Sequence, residues 1–223
     1  MAAADISVHG VLIAEMLLLV AVNDKGRVPF GSDSYVNIGL TGALLAELAV
    51  DGRLTIAEDG TVRAGDTRPG DVLLAEAYDA VREHLEGRKA KRVIGGLSRH
   101  IGGSRKRVVD RLVEGGVLGR DRPSAFRPTR HPVRDRAARQ AVLDQVRAAA
   151  TGDGPVRPDI AVVLALTGPC RLLERVAPER GTRGEAKRIA RVTAETPFAP
   201  TVAKVVDELI AAVAATATTI AAS

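Results

Sequence analysis

The sequence predicts a mainly α protein, a single-domain helical bundle with two small β-hairpin insertions. Three observations lead there. Apolar residues recur at helical spacing through most of the 223 residues, between cap residues and glycine stops. Aromatic residues are scarce, with three Phe, two Tyr and no Trp, so the core must be built from Leu, Val, Ile and Ala, which suits close-packed helices better than a β-sandwich. Only two intervals alternate apolar and polar residues around turn signals.

Taken in order, the spacing predicts helices at about 11–21, 33–51, 70–87, 90–100, 104–115, 132–150, 158–177, 183–195 and 199–220. Ser32 or Asp33 caps the second, Asp71 falls in the first turn of the third, and Pro132 and Pro158 sit near the first turns of two later ones. Glycines 52, 87 and 152 are the stops. The first hairpin is RLTIAEDGTVRAGD, near 53–65, where Leu54, Ile56 and Val62 flank Asp59-Gly60; the second spans residues 117 to 133. TGDGPVRP, residues 151 to 158, is the best linker, yet the helices on either side carry apolar faces that could not stand alone, so one domain over 8–221 is expected.

The apolar run from Val11 to Val22 contains Glu15, lacks a basic lead and is too short to span a bilayer, which predicts a core helix. The Ala- and Thr-rich run from Leu209 to Ser223 is also too short and too weakly apolar, so no transmembrane segment is expected. A single cysteine, Cys170, excludes an internal disulfide framework and fits a cytoplasmic protein. Arg outnumbers Lys 26 to 6, which correlates with a GC-rich bacterial genome.

The chemistry expected of an enzyme is missing from the sequence. GxSxG, P-loop, HExxH and Rossmann patterns are lacking, and His9, His84, His100 and His131 are scattered, so no catalysis, cofactor or metal is expected. Cys170, beside Pro169 in LTGPCRLL, reads as a small buried hydrophobe.

Charge is the strongest signal. The net charge of +5 is uneven: residues 88–139 hold sixteen Arg or Lys against four acidic residues, a local balance of +12 that leaves −7 for the rest of the chain. Such asymmetry points to an anionic partner: nucleic acid, an acidic membrane surface or a phosphorylated ligand. A solvated Arg-rich face is the plainer alternative.

Within this segment, IGGSRKRVVDRLVEGGVLGR (101–120) starts a helix with its charges reversed. Ser104 is a natural N-cap, and Val108, Val109, Leu112 and Val113 share one face. The first turn then carries Arg105, Lys106 and Arg107, although the helix dipole favours acids there and each misplaced cation costs about 0.3–1 kcal/mol. An anion at the helix N-terminus would offset them. A helix followed by the basic hairpin RDRPSAFRPTR is also the pattern of a winged-helix nucleic-acid binder, although GGLSRHIGG does not supply a clean preceding helix and turn.

Five segments together resemble the Golgi phosphoprotein 3 family: LLLVAVNDKGR (17–27), GLTGALLAELAVDGRL (39–54), PGDVLLAEA (69–77), RVVDRLVEGGVLGR (107–120) and HPV (131–133), in matching order and spacing. The resemblance covers about residues 8 to 135, with the later helices agreeing in pattern. It implies a mainly helical peripheral membrane protein that binds phosphatidylinositol 4-phosphate, placed here in the cytoplasm on the inner face of the membrane.

The family's headgroup pocket uses a Trp and an Arg near the second helix and two Arg around the start of the helix matching 104–115. On matching positions Arg105 keeps one arginine, while Gly102, Thr41 and Ser32 stand where the second arginine, the arginine within GLTG and the tryptophan would be. Selectivity for phosphatidylinositol 4-phosphate is therefore expected to be weak, with Arg99, Lys106 and Arg107 supplying a less selective site for an anionic lipid or phosphorylated ligand. The family's membrane-contacting hairpin corresponds to residues 117–133, where Arg120, Arg122, Arg127 and Arg130 surround Phe126; a basic hairpin that lays one apolar side chain among headgroups and a Phe126 packed on the neighbouring helix fit equally. Nucleic acid is the second choice of partner, and a homo-oligomer is left open.

Overall fold

The computed structural model describes residues 10–121, 131–151 and 156–177, with isolated positions 207, 211 and 215. The expected helix 183–195 and the hairpin tip with Arg122, Phe126, Arg127 and Arg130 lie outside the described residues, as does the expected stop at Gly152; of the expected helix 199–220 only positions 207, 211 and 215 are described, each helical.

The architecture is mainly helical with one small two-stranded sheet. At its centre is α1 (Ile13–Ala21), every residue of which is buried, Glu15 included. The expected core helix is therefore present. It packs against α2 (Asp33–Val50), α5 (Ser104–Glu114), α6 (Arg136–Thr151), α7 (Pro158–Thr167) and α8 (Leu173–Val176). A helix enclosed on all sides must be apolar all round, as IAEMLLLVA is, and its one carboxylate must be partnered. Glu15 accepts a hydrogen bond from Leu12 N at 2.9 Å and from Arg111 Nε at 3.0 Å.

α2 ends where Gly52 adopts φ +67°, a conformation that lets Arg53 N reach back to the Leu48 carbonyl at 2.7 Å. The chain then enters the expected hairpin, β1 (Leu54–Ile56) and β2 (Val62–Ala64), antiparallel with Leu54 opposite Ala64 and Ile56 opposite Val62. Asp59 Oδ1 takes the Thr61 N–H at 3.0 Å and lies 2.7 Å from Thr61 Oγ1, fixing the turn.

α3 (Val72–Ala80) is capped by Asp71, whose Oδ1 accepts from Leu73 N and Leu74 N at 3.0 and 3.1 Å. Asp71 is thus the cap itself rather than a first-turn residue. The expected helix 70–87 is not uniform: Val81–Leu85 widens into a π turn before Gly87 (φ +70°) ends it. α4 (Ala90–His100) and α5 follow, joined by Gly102 and Gly103, both with positive φ.

Three further boundaries differ from expectation. Ser104 is the first helical residue of α5 and Gly103 the cap. α6 begins at Arg136, four residues after Pro132, because Asp135 caps it by accepting from Ala138 N at 2.9 Å. The expected helix 158–177 breaks after Thr167, where Arg171 takes φ +58° and lays its guanidinium 4.3 Å from the centre of the Tyr35 ring. Pro158 does open α7, as its fixed φ favours. Of the second hairpin, the two ends are described: Leu118 bridges Val133 in antiparallel fashion, and Gly119 N donates to the Pro132 carbonyl at 2.7 Å.

Candidate functional site

The N-terminal end of α5 meets α2, and this junction holds two of the residues singled out in the sequence, Arg105 and Thr41. Thr41 Oγ1 lies 2.9 Å from Ser104 Oγ and 3.1 Å from the Asn37 carbonyl. Both hydroxyls are buried, so they serve as the satisfied floor of the junction. Ser104 N donates to Ser98 Oγ at 3.1 Å, so α4 satisfies one of the free backbone N–H groups at the start of α5. Ser32, also buried, precedes the first residue of α2 without capping it through its side chain.

Arg105 reaches back across this floor to α2. Its Nη1 is 2.6 Å from Asp33 Oδ1 and 3.4 Å from Asn37 Oδ1. Lys106 pairs with Asp110 one turn along, at 2.9 Å, and Arg120, at the base of the hairpin, pairs with the other oxygen of Asp110 at 2.5 Å. Arg107 pairs with Glu76 of α3. The three cations of the first turn are therefore each compensated by a carboxylate, two of them from other helices. The hydrogen bond from Lys106, aided by Arg120 and Arg107, holds the Asp110 carboxyl below the usual carboxylate range.

The same holds one turn on. Arg111 binds Glu15 and Asp71 together, and burial pushes the Glu15 carboxyl upward against those contacts. Arg99, in the last turn of α4, is exposed and makes no ion pair with a described residue. Gly102 has φ +70°, and a Cβ there would meet nothing within 4 Å. An arginine at this position would have room but would need the left-handed backbone that L-residues avoid.

A cleft of about 740 Å³ opens beside the junction, lined by Arg105, Lys106, Val109, Asp110, Arg120 and His131. Its walls carry both signs of charge, and the hairpin base forms one side. The structure thus brings Arg105 and Thr41 to the junction through Asp33 and Ser104, with Ser32 just ahead of α2; it places Lys106 and Arg120 on the adjoining cleft, sets Gly102, Lys106 and Arg107 along a second cleft beside Glu76, and leaves Arg99 in the last turn of α4. Cys170 is buried, with its thiol pushed up to about 12 by desolvation.

Sequence reasoning missed the carboxylates. Asp33 and Glu76 carry no local signal, since they lie 72 and 31 residues from the cations they meet. It also passed over Phe30, which is fully exposed just ahead of α2. Its signal was available: an aromatic between Pro29 and Gly31 cannot enter a helix face.

A central apolar helix packed by five others, with a mixed-charge cleft at the junction of the second and fifth, defines a helical bundle with a polar surface site. Residues 12–209 match the family model described as Golgi phosphoprotein 3 (GPP34), and the chain belongs to that family. Among the described residues no helix is long and apolar enough to cross a membrane.

Proposed function

We propose that the protein is a non-catalytic peripheral membrane protein that binds anionic lipid headgroups at the α2–α5 junction. The observation that carries this reading is the Arg105–Asp33 pair at the rim of the cleft. An exposed carboxylate holding an arginine at 2.6 Å is a replaceable partner: a headgroup phosphate can take its place on the guanidinium with the same hydrogen-bond chemistry and more charge. Lys106 and Arg120, held together by Asp110, stand next to it across the cleft.

Family membership supports the location, because two of the positions matched to the family pocket, Arg105 and Thr41, lie at this junction. The set of α5 contacts favours a headgroup over duplex DNA. Val108, Val109 and Leu112 are buried, and Arg105, Arg107 and Arg111 point to carboxylates on α2, α3 and α1, so the helix is tucked into the bundle rather than offered to a groove.

Flotation with phosphatidylcholine vesicles, with and without phosphatidylglycerol, tests the proposal, with a DNA duplex in parallel. Binding that requires the anionic lipid and weakens with salt is expected. Equal flotation with neutral vesicles, or binding to the duplex alone, would refute it.

A further inference from the structure

We propose that the loop Lys25–Gly31 is a second membrane-contacting element, in which Phe30 enters the bilayer interface while Lys25 and Arg27 engage the surrounding headgroups. This rests on the lipid-binding reading above and concerns a different part of the chain from the hairpin.

The first observation is exposure. Phe30 is fully exposed in a protein with three Phe and no Trp, and the other large apolar side chains among the described residues lie mostly in one core. The loop does not leave it loose. Asn23 Oδ1 accepts from Lys25 N at 3.0 Å and from Arg27 N at 3.1 Å, Asn23 N donates to the Arg27 carbonyl at 2.9 Å, and Ser32 N donates to the Pro29 carbonyl at 3.0 Å. With the backbone closed on itself and Val28 packed against the core, Phe30 is held outward.

The second observation is charge. The cations of α5 and Arg120 are all paired with carboxylates, whereas Lys25 and Arg27 are exposed and form no ion pair with a described residue. Unpaired cations in the same short loop as an exposed aromatic are the composition of an interfacial anchor on an anionic bilayer.

The third is position. Gly26 lies so close to the hairpin base that a Cβ would fall 2.1 Å from the His131 carbonyl oxygen, and Val133 N donates to the Asp24 carbonyl at 3.1 Å. The loop and the hairpin base therefore form one edge. Phe30 is also only three residues from Asp33, a chain reach of at most about 11 Å, so it stands beside the Arg105 site. A protein partner is the weaker occupant: one aromatic side chain among charges offers far less than the ~800 Å² a stable interface buries on each side.

The absence of tryptophan permits a direct test in the full chain. Phe30→Trp introduces a sole indole, to be read with phosphatidylcholine–phosphatidylglycerol vesicles carrying brominated acyl chains. A blue shift on binding with quenching by the bromines is expected, along with roughly tenfold weaker flotation for Phe30→Ser. Flotation of Phe30→Trp with an indole still emitting as in water would overturn this inference and leave the headgroup site standing. Failure of both parent and variant to float with anionic vesicles would overturn the two together. A blue shift that grows with protein concentration in the absence of lipid would assign Phe30 to self-association and equally overturn the inference.

Discussion

Arg105 and Asp33, 72 residues apart in sequence, share a hydrogen-bonded ion pair of 2.6 Å that joins the first turns of α5 and α2. The cation that begins α5 against its dipole is thus offset from within the fold, and the same carboxylate that offsets it competes with any headgroup for it. The two residues should therefore have opposite effects on binding. Arg105→Ala is expected to weaken binding to phosphatidylglycerol-containing vesicles about tenfold, which is ~1.4 kcal/mol, whereas Asp33→Asn should strengthen it roughly threefold. Both should change stability by no more than about 1 kcal/mol, since the pair is partly exposed. Vesicle flotation and thermal unfolding of the two variants check this, and weaker binding by Asp33→Asn would show that the carboxylate belongs to the site rather than competing with it.

Selectivity among acidic lipids should be weak. Ser32 and Thr41 are buried hydroxyls, Thr41 in contact with Ser104, and Gly102 brings no cation, so one arginine alone cannot form a set that distinguishes phosphatidylinositol 4-phosphate from other anions. Vesicles matched for charge are expected to bind the parent about equally. Gly102→Arg, which has open space but a strained backbone, should raise the preference for phosphatidylinositol 4-phosphate at a stability cost of about 1–2 kcal/mol.

Stability should fall as pH rises from about 4.5 to 7. Burial pushes the Glu47 carboxyl from 4.5 up to about 7, despite the hydrogen bond it accepts from Ile13 N. Because this folded pKa is raised, the folded state binds more protons than the unfolded chain across that window. The contribution is complete below the unfolded value and is lost as pH passes the folded one. Glu15 is shifted in the same direction. Glu47→Gln keeps an oxygen for Ile13 N and removes the titration, so it should be more stable than the parent at pH 8, by on the order of 2 kcal/mol, and no more stable at pH 5. Melting temperatures at the two pH values decide this.

Arg139 should be a stability residue with no part in lipid binding. Only 12% exposed, it donates through Nε and Nη2 to the Val22 carbonyl at 3.1 and 2.8 Å and through Nε to the Leu19 carbonyl at 3.2 Å, closing the C-terminal end of α1. Arg139→Leu leaves those carbonyls unsatisfied inside the bundle and should cost about 2–4 kcal/mol. For a chain of this size that lowers the melting temperature by roughly 2–4 °C per kcal/mol. Vesicle binding below the transition should be unchanged.

What the sequence determined by itself is whatever depends on neighbours along the chain. Helical periodicity placed α1, α2, α4, α5 and α7 near their observed starts; Asp59-Gly60 placed the first hairpin, and Gly52 and Gly87 marked stops that need positive φ. Family membership was legible too, because it resides in ordered local segments. A miss at this level is Ser104, which has the chemistry of a cap: Gly103 takes the cap position, Ser98 Oγ of α4 accepts the Ser104 N–H, and the Ser104 hydroxyl turns to Thr41 instead. Tertiary structure alone decided what the charges do. A count along residues 88–139 finds a large positive excess because the compensating Asp33, Glu76, Asp71 and Glu15 lie elsewhere in the sequence and meet Arg105, Arg107 and Arg111 only when α1, α2, α3 and α5 pack. Coulombic attraction depends on distance in space, which a charge count along the chain does not contain. The same is true of exposure: Phe30 is as apolar as any core residue, and only the closed loop that holds it outward, against the hairpin base, makes it a surface feature.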